Sequence, residues 1–129
     1  VDEGLSVVKA LRSRYDGLAR NPWNEYECGN YYARAMASYA LLIALSGFRY
    51  SAPEKTLYLE PRLPADPFKV FFSTEKGWGN ITIKDGEFTI LLEEGRLELD
   101  KLVITLNGKT TQVEPRLCVT PGKKTVIAF

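Results

Sequence analysis

The fold turns on one stretch, Tyr39-Ala40-Leu41-Leu42-Ile43-Ala44-Leu45-Ser46-Gly47-Phe48-Arg49-Tyr50-Ser51-Ala52-Pro53. Up to Ser46 it carries no charge and is apolar nearly all round, as is a helix buried on most sides. Gly47 is a good stop, because helices often end on a residue in the left-handed conformation that glycine adopts without steric cost. Beyond Pro53 the hydrophobic period changes from 3.6 to 2 residues. The expected class is therefore α+β. Residues 1–50 form a helical pair packed on an antiparallel β domain over residues 51–129, and the boundary falls between Arg49 and Lys55.

Toward the N-terminus, the same helix should begin near Cys28 to Tyr31 and run to Ser46. Few elements in 129 residues can surround so apolar a helix. Either it packs on the first helix and a sheet together, or it belongs to a larger body. The first helix is read from Leu5, Val8, Leu11, Tyr15 and Leu18, a stripe at spacings of three and four. Asp2 and Glu3 suit the positive end of its dipole. It should stop at Asp16-Gly17 or by Arg20, since Asn21-Pro22 follows and the residue before proline is pushed out of the α region.

Toward the C-terminus, short β-rich runs cover Thr56–Glu60, Lys69–Ser73, Trp78–Lys84, Glu87–Glu93, Arg96–Asn107, Thr110–Pro115 and Lys124–Phe129. Leu117-Cys118-Val119 is one more candidate. Asp85-Gly86 and Asn107-Gly108 are two-residue hairpin turns of the I′ kind, and Glu94-Gly95 is a third turn. Seven or so antiparallel strands joined this way make a sandwich or a curled sheet.

Composition excludes several functions. Seventeen basic and sixteen acidic side chains leave a net charge of +1, without the basic footprint of a nucleic-acid binder. There is no histidine, which removes Ser-His-Asp and Cys-His catalysis and any His-ligated metal. Cys28 and Cys118 are too few and too far apart for a zinc cluster, and both are expected as reduced, buried thiols. No metal or cofactor is expected. No segment reaches the ~18 apolar residues of a membrane span. With no signal peptide visible, the expected location is cytoplasmic. The first residue is Val, so a processed or truncated piece is the expectation.

Chemistry concentrates in Asn21-Pro22-Trp23-Asn24-Glu25-Tyr26-Glu27-Cys28-Gly29-Asn30-Tyr31-Tyr32-Ala33-Arg34. Aromatic rings cover the apolar C–H face of a sugar, and carboxylate, amide and guanidinium groups satisfy its hydroxyls. The same residues also suit a structural role, with Glu25 and Glu27 at a helix N-terminus and Trp23 as a core plug. Residue types alone leave both readings open.

The exact string adds to this. From Arg20 to Ser38 the chain resembles the pattern R-N-P-W-N-E-x-E-C-G-x-x-Y-A-R-x-M-A-S of glycoside hydrolase family 116, the bile-acid-type β-glucosidases and non-lysosomal glucosylceramidases. Tyr15-Asp16-Gly17 resembles the family's lead-in. Gly47-Phe48, Leu59–Leu63 and Gly77-Trp78-Gly79 resemble the tails of prokaryotic members more loosely. The resemblance implies a retaining glycosidase with an (α/α)₆ barrel, of which residues 1–50 are the end. It implies a Glu nucleophile and an Asp acid/base ~5 Å apart, both in parts of the barrel that this chain lacks, so no catalytic residue is expected here. The family's glucose-binding Glu and Arg fall on Glu25 and Arg34. Trp23, Asn24 and Glu27 would support them.

Other features carry less. Asn80-Ile81-Thr82 is a glycosylation sequon read as chance. Phe68, Phe71, Phe72 and Trp78 are either an aromatic carbohydrate platform or core packing, and core packing is the preferred reading. Glu93-Glu94 and Lys123-Lys124 read as solvated turns.

Three functional readings follow. The chain is the C-terminal part of a β-glucosidase-like protein, acting on a glucoside within a complete enzyme. Its exposed helix would then drive self-association, or a companion chain would bear the barrel. Alternatively it is a stand-alone carbohydrate-binding or protein-interaction module, or an inactive remnant held together by self-association. Only the first explains the 20–38 string, the Val start and the over-apolar helix together. On that reading the purified chain should not hydrolyse a fluorogenic aryl β-glucoside. Turnover that survives purification and disappears in Glu25→Gln would contradict it.

Overall fold

A computed structural model describes residues 1–18, 20 and 35–129. They fall into two compact units, Val1–Leu41 and Leu42–Phe129.

In the first unit α1 spans Asp2–Arg12, with Asp2 and Glu3 in its first turn and Lys9 and Arg12 in its last. Both ends thus complement the helix dipole. The helix stops about a turn short of its apolar stripe. Ser13 N–H still bonds to the Lys9 carbonyl at 2.9 Å, but Arg14 and Tyr15 close tighter turns onto Leu11 and Arg12. Then Asp16 accepts the Leu18 N–H at 2.8 Å, and Gly17 takes φ +88°. A carboxylate that captures a backbone donor two residues on competes with helix continuation. Leu18, expected on the apolar face, is exposed instead, and α1 buries no residue.

The second helix, α2, spans Ala35–Ser46. Its expected start at Cys28–Tyr31 lies outside the described residues. Its end is as the sequence implies. Gly47 takes φ +61° and donates to the Ile43 carbonyl at 2.8 Å. The carbonyls left over in the last turn are not abandoned. Leu45 accepts from Arg62 N–H at 2.8 Å and Ser46 from Glu60 N–H at 3.2 Å, while the buried Ser46 hydroxyl donates to Leu42 and receives Phe48 N–H. The last turn of α2 is thereby tied to the strands that follow.

Ten strands make up the second unit: β1 (Arg49–Ser51), β2 (Thr56–Leu59), β3 (Phe68–Ser73), β4 (Gly77–Lys84), β5 (Glu87–Gly95), β6 (Leu97–Leu99), β7 (Lys101–Leu106), β8 (Lys109–Val113), β9 (Leu117–Val119) and β10 (Lys124–Ala128). They form two four-stranded sheets, ordered β1-β2-β7-β8 and β10-β5-β4-β3, and a two-stranded ribbon β6-β9. Inward residues of all three join one core. Leu57, Leu59, Leu102 and Ile104 come from the first sheet. Val70, Phe72, Ile81, Ile83, Phe88, Ile90, Leu92 and Ile127 come from the second, and Leu97, Leu99 and Val119 from the ribbon. The arrangement is sandwich-like, and with the two helices the chain is α+β. No helix among the described residues is long and apolar enough to cross a membrane.

The hairpins at Asp85-Gly86 and Asn107-Gly108 form as expected. Both central residues have positive φ, at 52° and 79° in the first and 51° and 77° in the second. They close Lys84 onto Glu87 and Leu106 onto Lys109. Type I′ turns require that pairing of angles, and their twist matches the strands.

Three details differ from expectation. First, the run Arg96–Asn107 is two strands. Inward positions are odd at Leu97 and Leu99 but even at Leu102 and Ile104, so the alternation slips by one at Asp100. There the Lys55 carbonyl accepts both the Asp100 and Lys101 N–H groups, at 2.9 and 3.3 Å, as the chain changes sheets. Second, β2 pairs with β7 in parallel, so the sheet is mixed rather than wholly antiparallel. Third, Glu94-Gly95 is no turn. Glu93 and Glu94 lie in β5, and Gly95 pairs with Gly77 across a register shift between Trp78 and Gly79.

That irregularity depends on glycine. Gly79 is buried, and a Cβ there would run into the Leu91 carbonyl of the neighbouring strand. Gly108 has only its positive φ to protect, with open space around it. Gly79→Ala should therefore cost more than Gly108→Ala, for which about 1 kcal/mol is expected from backbone strain. Paired thermal melts of the two variants check this order.

Candidate functional site

Trp23, Asn24, Glu25, Glu27 and Arg34, the residues that the sequence assigns to a sugar subsite and its support, lie outside the described residues, as does Cys28. Among the described residues the best-defined cavity is in the second unit, about 270 Å³ in volume. It lies at the small end of the ~300–1,000 Å³ typical of ligand pockets.

Three segments build it. After α2, β1 supplies half-buried Tyr50, preceded by Phe48, whose ring lies 5.6 Å from that of core Phe72. The turn between β3 and β4 supplies Thr74, Glu75 and Lys76. Thr74 closes that turn, since its N–H and its hydroxyl both donate to the Gly77 carbonyl, at 2.9 and 2.8 Å. Finally β6 and the residue before it supply Glu98 and Arg96, which share a face at a spacing of two. Arg96 N–H donates to the Lys76 carbonyl at 2.9 Å, which locks the third segment to the second.

The polar groups are largely engaged with one another. Tyr50 donates its phenol to the Glu98 backbone carbonyl at 2.6 Å. The Glu98 carboxylate receives Lys55 Nζ at 3.0 Å and Arg96 at 3.8 Å. Burial, and then the nearby Glu98 charge, push the Tyr50 phenol above its ordinary value. The Lys55 hydrogen bond holds the Glu98 carboxyl below the usual carboxylate range, and the same bond raises Lys55. An acid held ionised is a poor proton donor near neutrality. The cavity has an aromatic floor and a rim of two carboxylates and two cations.

None of Tyr50, Lys55, Arg96 or Glu98 stands out in the sequence. The one available signal is the spacing of Arg96 and Glu98 on an apolar strand, and only the sheet change at Lys55 and Asp100 gathers the rest. Among the described residues no group of three or more His, Cys, Asp and Glu is placed to hold a metal ion. Cys118 is a free thiol but exposed, not buried as expected, because Leu117 and Val119 take the inward positions of β9. The aromatic residues divide as well. Phe72 is buried and Phe68 packs against the core, but Phe71 and Trp78 point outward, which corrects the core reading for those two. No protein-family model matches the chain, and no curated protein matches it.

The ionic link at Glu98 has a pH signature. Its carboxyl is depressed in the folded state, so its contribution is present above the ordinary carboxylate value and fades as pH falls through the depressed one. Lys55 is raised, so its contribution is complete below the ordinary lysine value and is lost as pH rises through the raised one. Glu98→Gln should flatten both limbs of a plot of melting temperature against pH. Tyr50→Phe should cost ~1 kcal/mol at neutral pH, the worth of one hydrogen bond, read from chemical denaturation.

Proposed function

We propose that the chain is the C-terminal portion of a β-glucosidase or glucosylceramidase-like glycoside hydrolase of family 116. The observation that carries this reading is the string Arg20 to Ser38. In this reading Glu25 and Arg34 bind the outer hydroxyls of glucose, with Trp23, Asn24 and Glu27 in support. The nucleophile and acid/base belong to a barrel portion that this chain does not contain. The retaining mechanism asks for two carboxylates and no cofactor.

The helices support the reading. All eleven residues of α1 leave their side chains unburied, and a helix that short is marginal in water without packing. In α2, Leu42 and Ile43 are 38% and 57% exposed. Apolar helical surface of this kind is what neighbouring barrel helices, a companion chain or a second copy would cover. Residues 1–50 then act as the last part of an (α/α)₆ wall, followed by the β unit. A cytoplasmic location fits the same reading.

Arg offers a rigid fork of donors, and Glu accepts from two hydroxyls. In the complete enzyme, Glu25→Gln and Arg34→Lys should each lower kcat/KM for a glucoside by on the order of 10–100-fold, the loss of one charge-assisted hydrogen bond. Lysine should not rescue Arg34, because a point charge does not replace the fork. If both variants lose thermal stability while kcat/KM stays near that of the parent, the two residues only hold the loop, and the subsite assignment fails.

A further inference from the structure

The outward face of the sheet β10-β5-β4-β3 carries a second cluster, separate from both the cavity and the 20–38 string. Phe71 and Trp78 are 45% and 39% exposed, high for large rings on paired strands. Their centroids lie 6.1 Å apart with the planes inclined at 42°, so they form one bent apolar strip. Polar groups flank it by register. Asn80 stands opposite Phe71 on β3, and Glu94 stands opposite Trp78 on β5. Trp78 Nε1 donates to Glu94 Oε2, and Asn80 Nδ2 donates to Glu93 Oε1, each at 3.4 Å. Both bonds are long and exposed, so they orient the groups and leave acceptor capacity spare. No cation among the described residues makes an ion pair with Glu93 or Glu94. Lys69 and Lys124 are also exposed, on the flanking strands β3 and β10.

We propose that this face binds a neutral oligosaccharide of gluco-configured pyranoses. Such a sugar presents apolar C–H faces above and below, with its hydroxyls around the rim. A strip of two rings covers the C–H face. Carboxylates and an amide beside the strip accept and donate to rim hydroxyls. Charge decides against other ligands. By register the face carries Glu87, Glu93 and Glu94 against Lys69, Lys84 and Lys124, so it has no net charge to draw sulfated glycans, phosphates or nucleic acids, and a neutral sugar needs none. The apolar groups are two rings and half-buried Leu91, with exposed Val126 apart from them on the edge strand β10, too little for the core of a stable protein interface of ~1,000 Å² or more. The glycines support the arrangement from beneath. Gly77 and Gly79 leave Trp78 as the one side chain between them, and the register shift after it sets where its ring meets Phe71.

The proposal stands on the β unit and does not depend on the glycosidase reading. The chain has two tryptophans, so the Trp23→Phe variant of the full chain, excited on the red edge where tyrosine does not absorb, leaves Trp78 as the single reporter. Titration with cellohexaose should give a saturable change in its emission, and a sulfated hexasaccharide should give none. Phe71→Ala should weaken binding ~10-fold or more, about 1.4 kcal/mol. Because Phe71 packs outside the core, its melting temperature should stay near that of the parent. Glu94→Gln should weaken binding without abolishing the Trp78 response. No saturable response to cellohexaose overturns the proposal. So does a response that Phe71→Ala leaves unchanged in a folded protein, preference for the sulfated sugar, or burial of Trp78 by self-association without sugar. Hydrolysis of a small aryl glucoside by the complete enzyme should be indifferent to Phe71→Ala, so failure at this face and failure at Glu25 and Arg34 are told apart.

Discussion

The second unit depends on a close approach of two backbones where β4 begins and β5 ends. Gly77, Gly79 and Gly95 line that crossing, and a Cβ on any of them would run into a backbone carbonyl across it, Glu94, Leu91 and Lys76 respectively. Gly95 also needs its φ of +83°. The approach has consequences on both faces of the sheet. Inward, Gly79 leaves room opposite Phe72, one of the two largest buried side chains. Outward, it presents Trp78. At the sheet's end it delivers Arg96 to the Lys76 carbonyl and so closes the cavity. The pocket and the aromatic strip are thus two products of one steric condition.

A second constraint lies at Lys55, with φ of +47°. Its carbonyl receives two N–H groups from the point where the chain leaves the ribbon for the first sheet. Its side chain meets Glu98, two residues before that point. The backbone bonds matter more to the fold than the ion pair does, since exposed pairs are screened and lose side-chain entropy when held. What the pair does at the cavity is hold the Glu98 carboxylate in place. Glu98 stays anionic and occupied, which leaves Tyr50 and Phe48 as the apolar side of the pocket.

The functional reading and the binding face draw on different parts of the chain. The roles proposed for Glu25 and Arg34 rest on a string of specific residues and on no tertiary contact. Phe71 and Trp78 are the opposite case. Alternation along β3 already separates Phe71 from Val70 and Phe72, but Phe and Trp in a strand read equally well as core. Which of them face out depends on the register of β3 against β4, and a slip of one residue would exchange the two faces. The cavity was less legible still, since Tyr50, Arg96 and Glu98 meet only through sheet pairings and connections spanning many residues.

The sequence by itself determined the local structure. It marked the switch from helix to strand near residue 50, the helix stop at Gly47, the two I′ hairpins and most strand cores, because each follows from near-neighbour sterics and the period of apolar residues. It also contained the slip at Asp100, in the change from odd to even inward leucines. Tertiary structure decided what local rules do not reach. It paired β2 in parallel with β7, turned Cys118 outward, and drew Gly95 into a strand in place of a turn. Each of these depends on which distant strand supplies the partner, and that choice is made by filling one core from three sheets at once.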